Sequence, residues 1–253
     1  MKTATYEGMP IPQCFQDLED VLAAGTDRVI LYGPPGTGKT YSGLTLGINE
    51  AGSERLICTE DMTSADVSGA FMPNISGGFE FLAGAALRAW QGNGTIGSRL
   101  VIDEIDKAGG DVFAQLLAFT DTADSASFTR PDNGIITRPL PGYSVIMTSN
   151  IEDPNELPMA LKDRFPVAIE INAPHPAALM SLPVELRQLA ATIVSGKPGQ
   201  RASLRSFYEF NKLRQNPAFT PERAARMVFR HMADPIIDAL KIGTLTPDFS
   251  FTV

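Results

Sequence analysis

Eight consecutive residues, Gly33-Pro34-Pro35-Gly36-Thr37-Gly38-Lys39-Thr40, have the spacing G-x-x-x-x-G-K-[ST] of a phosphate-binding loop. Glycines allow backbone angles that turn successive N–H groups onto phosphate oxygens, and a helix starting behind them adds the positive end of its dipole. Lys39 would then reach the β- and γ-phosphates of a nucleoside triphosphate, and the Thr40 hydroxyl would ligate Mg²⁺. About 65 residues on, Leu100-Val101-Ile102-Asp103-Glu104 is an apolar run closed by two acids. Asp103 suits a Mg²⁺ ligand, directly or through water, and Glu104 suits a general base that polarises the attacking water. Alone, such a pair reads equally well as the solvated end of a strand; behind a phosphate loop it reads as hydrolytic machinery.

Two later residues fit the same chemistry. Ser144-Val145-Ile146-Met147-Thr148-Ser149-Asn150 is a strand pattern ending in polar residues. In a parallel sheet that binds its ligand at the carboxyl ends of the strands, Asn150 would face the same site and position water or touch the γ-phosphate. In isolation it would be a turn-forming asparagine. Leu161-Lys162-Asp163-Arg164-Phe165 follows. At a subunit boundary Arg164 could reach a neighbour's γ-phosphate, a contribution of about 10³–10⁵ in rate. The plainer reading is a helix-end arginine paired with Asp163 or solvent.

These residues need a scaffold, and the first part of the chain reads as one. Phe15, Leu18, Val21 and Leu22 share a helix face that Gly25 can end. Arg28–Tyr32 is a short apolar run before the glycine loop, the pattern of a buried parallel strand. A helix is expected from Lys39 towards Ile48, and further strands over Arg55–Cys58, Arg99–Asp103, Tyr143–Thr148 and Pro166–Ile171. Alternation of this kind predicts a parallel sheet covered on both faces. Residues 72–84 and 125–141 interrupt it and read as inserted hairpins, the second around Pro131-Asp132-Asn133-Gly134. From about Pro176 the pattern is helical, over Val184–Val194, Leu204–Leu213 and Pro221–Met232.

Charge marks the same division. The 253 residues carry a net charge of −8. Residues 1–184 hold 11 basic and 23 acidic side chains, a net of −12, whereas residues 185–230 hold nine basic and three acidic, a net of +6. The shift places a boundary near residue 175. An acidic total argues against a general DNA-coating protein. No apolar run approaches the roughly 20 residues of a membrane span, and the start lacks a signal-type apolar stretch. A cytoplasmic protein is expected. Cys14 and Cys58 make neither a disulfide framework nor a cysteine metal site. They read as small buried or semi-buried groups, Trp90 as core, and His175 and His231 as structural or solvated.

With these elements in this order, the chain resembles the AAA+ ATPases, in detail the MoxR-like and dynein-related branch, over about residues 15–235. Gly33–Thr40 matches Walker A, Leu100–Glu104 Walker B, Asn150 sensor 1, and Arg164 the arginine finger. Thr59–Gly69 is similar to the branch's segment after its second strand. Gly77–Phe81 with Ala85–Trp90 looks like its helix-2 insert hairpin, and Ile135–Asn150 like its second hairpin and following strand. The resemblance implies an α/β P-loop fold: a five-stranded parallel sheet in an αβα sandwich over residues 1–174 and a small helical lid over 175–253. It implies ATP and Mg²⁺ as ligands and a homo-oligomeric ring, usually a hexamer. It also implies a remodelled protein substrate, often with an adaptor protein, in a bacterial, archaeal or phage-infected cell. For sensor 2, Gln200-Arg201-Ala202-Ser203 resembles one form of the motif and Ser203-Leu204-Arg205-Ser206-Phe207 the other. The distance to Phe219-Thr220-Pro221 favours Arg205. Phe79 and Phe81 either pack on the body, the preferred reading, or grip a chain in the pore.

Three other functions compete. A DNA-acting motor or loader would use the basic strip of the lid. A nucleotide switch or scaffold would have no need of Glu104. A phosphotransferase would need an acceptor pocket and would leave Asn150 and Arg164 without purpose.

Overall fold

The computed structural model describes residues 4–197 and 199–245. Its contacts divide into two compact units, one of Asp17–Pro34 with Lys39–Glu170, the other of Met1–Gln16, Pro35–Gly38 and Ile171 onward. The chain opens on a short hairpin, β1 (Thr5–Tyr6) and β2 (Met9–Pro10), then helix α1 (Gln13–Ala23). There follow β3 (Arg28–Tyr32), α2 (Lys39–Thr45), β4 (Ser53–Ile57), α3 (Ser64–Ser68), β5 (Gly69–Pro73), β6 (Phe79–Ala83) and α4 (Ala85–Gln91). Next come β7 (Arg99–Asp103), α5 (Gly110–Phe119), β8 (Phe128–Thr129), β9 (Ile136–Thr137), β10 (Ser144–Thr148), α6 (Met159–Arg164) and β11 (Val167–Glu170).

Five of these strands form one sheet in the order β11-β3-β10-β7-β4. Every pairing in it is parallel. The three inner strands are buried almost throughout, because helices cover both faces of a parallel sheet; the edge strands β4 and β11 are half exposed. Register aligns Leu31 with Thr148 and Ile57 with Asp103, so the carboxyl ends of β3, β10, β7 and β4 lie level. The core beside the sheet centres on Trp90, whose ring lies 4.6 Å from that of Phe119 and 6.3 Å from that of Tyr143. The Trp90 Nε1–H and the Tyr143 hydroxyl both donate to the Phe119 carbonyl oxygen, each at 3.2 Å, so both polar atoms are satisfied inside the core.

Both inserted hairpins form. β5 and β6 pair antiparallel, as do β8 and β9, the latter on only two residues each around the Arg130–Ile135 turn. At the base of the first hairpin Gly69 and Gly84 meet: a Cβ on Gly84 would stand 2.4 Å from the Val67 carbonyl oxygen, so no larger residue fits. Helix α2 stops at Thr45, short of the expected Ile48. Gly47 turns the chain there at a φ of +56°, and buried Arg99 secures the turn, its guanidinium taking the carbonyls of Gly43, Leu46 and Gly47. Burial pulls the Arg99 pKa down to about 10.

The other unit is helical from Pro176, with α7 (Pro176–Met180), α8 (Val184–Val194), α9 (Leu204–Arg214), α10 (Pro221–Phe229) and α11 (Ala233–Leu245). Ser203 and Thr220 cap α9 and α10, their side chains accepting N–H bonds from Ser206 and Arg223. Phe229 packs 5.0 Å from Phe207 and 5.3 Å from Phe210. Helix α10 ends three residues before the expected Met232, because Arg230 takes a left-handed φ of +53° and starts a 3₁₀ turn. The sequence reading placed no helix after Met232, where α11 follows. His175 is structural: it caps α7 through Nδ1 and its ring lies 4.9 Å from that of Phe15.

Candidate functional site

The site grows from the end of β3. The strand delivers Gly33, whose N–H donates to the Ile151 carbonyl at 3.1 Å, and the chain then turns through Gly33, Gly36 and Gly38, all at positive φ. Gly36 has a second constraint: a Cβ there would stand 2.6 Å from the Ser203 Cβ. Helix α2 begins on Lys39, which is buried. Its Nζ lies 2.8 Å from the carbonyls of Gly33 and Pro34 and 3.0 Å from the Asn150 Oδ1. The loop lysine and the strand-end asparagine, 111 residues apart, are thus in direct contact. Parallel pairing does this, because β3 and β10 are neighbours and end level.

Asp103 ends β7 and is 5% exposed. Its Oδ1 accepts from the Thr40 hydroxyl at 2.8 Å and from the Thr148 hydroxyl; its Oδ2 pairs with the Arg55 guanidinium. Burial pushes the carboxyl pKa up, but the hydrogen bonds from Thr148, Arg55 and Thr40 and the Arg55 charge outweigh it and hold Asp103 below the usual carboxylate range. The next residue, Glu104, takes a left-handed φ of +57°, which turns the chain off the strand into a 3₁₀ turn. The Glu104 carboxylate pairs with Lys107 one turn on. Ser149 reaches back to Asp106 at 2.7 Å.

A hydroxyl and a carboxylate side by side, Thr40 and Asp103, are hard oxygen donors of the kind Mg²⁺ takes, with phosphate and water completing its shell. Among the described residues no group of three or more His, Cys, Asp or Glu side chains is placed to hold a metal without such help. Behind the site, burial and the carboxylates of Asp103, Asp106 and Glu104 push the Cys58 thiol up to about 12, so it has no nucleophilic character at neutral pH.

Arg164 is elsewhere. It ends α6, and its Nη2 lies 3.7 Å from the Asp121 carboxylate, not beside Asp163. Asp121 is itself tied to Arg28, the first residue of β3, through its backbone carbonyl. Arg164 therefore sits at the amino end of the sheet, and the phosphate loop lies at the other end of β3, a strand of about 13 Å. Arg205 is exposed on the first turn of α9 and makes no hydrogen bond or ion pair among the described residues. Arg201 is bound to the Gly196 carbonyl.

Sequence reading missed Arg55 and Thr148 at Asp103 and Asp121 at Arg164. The first two follow only from strand order and register, which no spacing in the chain encodes. The expectation that both hairpin phenylalanines pack is corrected for one of them. Phe81 packs against the core with the Arg130 guanidinium 5.4 Å from its ring, whereas Phe79 is 71% exposed. Strand alternation puts both on one face, but Phe79 lies nearer the hairpin turn, beyond the reach of the body.

Residues 28–165 match the family described as the AAA domain of the dynein-related subfamily. No curated protein matches the chain. Among solved structures, a candidate ATPase from Cytophaga hutchinsonii ATCC 33406 is similar at 18% identity and a TM-score of 0.48, over 80% of this chain and 59% of that one. The present chain thus spans less than two thirds of that protein's length.

Proposed function

The chain belongs to the dynein-related subfamily of AAA domains, and from that premise we propose that it is a Mg²⁺-dependent ATPase that assembles as a homo-oligomeric ring, a hexamer, and uses hydrolysis to remodel a protein partner. The observation that carries this reading is the convergence of Lys39, Thr40, Asp103 and Asn150 at one end of the sheet while Arg164 stands at the other. A γ-phosphate held by Lys39 would have Asn150 beside it and Glu104 one residue beyond Asp103. Its own Arg164 would be out of reach, so the finger must come from the next copy.

The roles follow. Gly36, Thr37 and Gly38 would turn backbone N–H groups onto the phosphates, while Gly33, Pro34 and Pro35, the prolines having no N–H to give, shape the loop around them. Lys39 exchanges its carbonyl partners for phosphate oxygens. Thr40 and Asp103 would hold Mg²⁺, which would supply charge neutralisation for the phosphates. Glu104 polarises water that Asn150 helps to orient. We take residues 1–174 as the nucleotide-binding subdomain and 175–253 as the lid, whose Arg205 serves as sensor 2; its lack of a hydrogen bond or ion pair among the described residues supports it over Arg201, which is bound to the Gly196 carbonyl. Phe79, exposed on its hairpin, is the residue we assign to the substrate chain.

ATP turnover of the wild type, Glu104→Gln and Arg164→Ala tests the reading. Glu104→Gln should bind ATP and lose about 10²–10⁴ in turnover, and Arg164→Ala should lose about 10³ or more. Full turnover by Arg164→Ala at concentrations where the chain is oligomeric would end the finger assignment. A DNA-acting motor is the second reading, favoured by the exposed Arg223 and Arg226 on α10. Stimulation of turnover by single-stranded DNA, lost at high salt, would favour it over a protein partner.

A further inference from the structure

Asp121 lies just past the end of α5 and Arg164 ends α6, and the structure brings them together at the amino end of the sheet. Asp121 is firmly placed. Its backbone carbonyl accepts from Arg28, the Thr120 carbonyl accepts from the Arg28 Nε at 2.7 Å, and its Oδ1 accepts the Thr122 N–H at 2.7 Å. Arg28 is itself buried and pairs with Asp27 at 2.6 Å. The guanidinium of Arg164 is held less tightly. One Nη donates to the Ala160 carbonyl at 3.3 Å and the other lies 3.7 Å from the Asp121 carboxylate. That is an ion pair and longer than a hydrogen bond. The Nε is buried and makes no hydrogen bond among the described residues.

An arginine locked in a bidentate carboxylate fork must break two charge-assisted bonds before it can bind anything else. Arg164 has only one long ion pair and one long carbonyl bond to release, and its donor set is not saturated. This is the arrangement of a group that is aimed but not consumed. We propose that Asp121 is the positioning carboxylate of Arg164: anchored by Arg28, it holds the guanidinium in the orientation from which a neighbouring copy's γ-phosphate can take it over. The inference rests on the finger reading of Arg164 and adds to it the residue that sets the finger's aim. It also ties that aim to β3, whose first residue anchors Asp121 and whose last precedes the phosphate loop.

Mixed oligomers of the full chain, assayed for ATP turnover with Mg²⁺, separate positioning from general structure. Arg164→Ala supplies intact sites without fingers, and Glu104→Gln supplies fingers without working sites. Each alone should be nearly inactive, and their mixture should recover turnover. Adding Asp121→Ala to the Glu104→Gln donor should cut the recovered kcat about tenfold or more, with KM for ATP unchanged, since misplacement by about 1 Å costs up to about 10²-fold. Adding it to the Arg164→Ala acceptor should change nothing, because that copy has no finger to aim. Asp121→Glu in the donor should restore most of the loss. Equal recovery with and without Asp121→Ala in the donor overturns the proposal, and so does an equal loss when the acceptor carries it. If Arg164→Ala alone turns over like the wild type, or the mixture recovers nothing, the finger reading itself has failed, and the two failures are told apart by these controls.

Discussion

Asp103 is a buried carboxylate at the end of β7. A buried carboxylate is normally costly, yet this one accepts from two hydroxyls and pairs with a guanidinium. Its pKa is held down in the folded chain, so its contribution to stability is complete above the unfolded value of about 3.9 and is lost as pH falls through the lower folded value. Stability should therefore rise with pH across that window. Urea midpoints taken between about pH 3 and 6 should show a shallower acid slope in Asp103→Asn than in the wild type. An unchanged slope would mean that the Thr40, Thr148 and Arg55 contacts do not favour the ionised form. Lys39, Thr40, Asp103 and Asn150 could be singled out before any fold was known, because their types and spacing suit phosphate chemistry, and the fold brings them together. Arg55 was not, since an arginine in a strand has many uses and only lateral strand order brings it to Asp103.

At the scale of elements, local signals located segments and side chains from elsewhere secured their ends. The run after Lys39 has no helix breaker before Gly43; Gly47 turns the chain just past α2 at a φ of +56°, and Arg99, a residue of β7, binds the carbonyls of Gly43, Leu46 and Gly47 there. In helix α10 the sequence marks the start: Thr220 followed by Pro221 is a cap and a first-turn proline. Thr220→Ala should lower unfolding free energy by about 1 kcal/mol, read as a shift in denaturant midpoint at constant slope. A change within about 0.2 kcal/mol would mean that packing of Phe229 alone holds the helix in place. The two hairpins were placed from their turns, but which phenylalanine packs was settled by distance from the body. Phe81 lies close enough to meet Arg130 and the core; Phe79 does not.

Across the whole molecule the net charge of −8 conceals −12 on residues 1–184 and +6 on residues 185–230. If copies of this chain meet basic face to acidic face, the attraction acts between exposed groups and is screened within about 8–10 Å at ordinary salt. Self-association measured by sedimentation should weaken between about 0.05 and 0.5 M salt. Assembly indifferent to salt would assign the interface to apolar contacts instead. No helix among the described residues is long and apolar enough to cross a membrane.

The sequence by itself singled out the candidate phosphate chemistry and determined the class of fold. Glycines, a lysine and a threonine at fixed spacing can cradle phosphate in few other ways, and apolar strands alternating with helices can bury themselves only in a covered parallel sheet. Tertiary structure decided the partners. The order β11-β3-β10-β7-β4 and its level register put Asn150 on Lys39 and Thr148 and Arg55 on Asp103. The same order put Arg164 at the far end beside Asp121. Such pairings depend on which strands lie side by side, a choice made by the burial of the whole core, whereas spacing along the chain constrains only what is near in sequence.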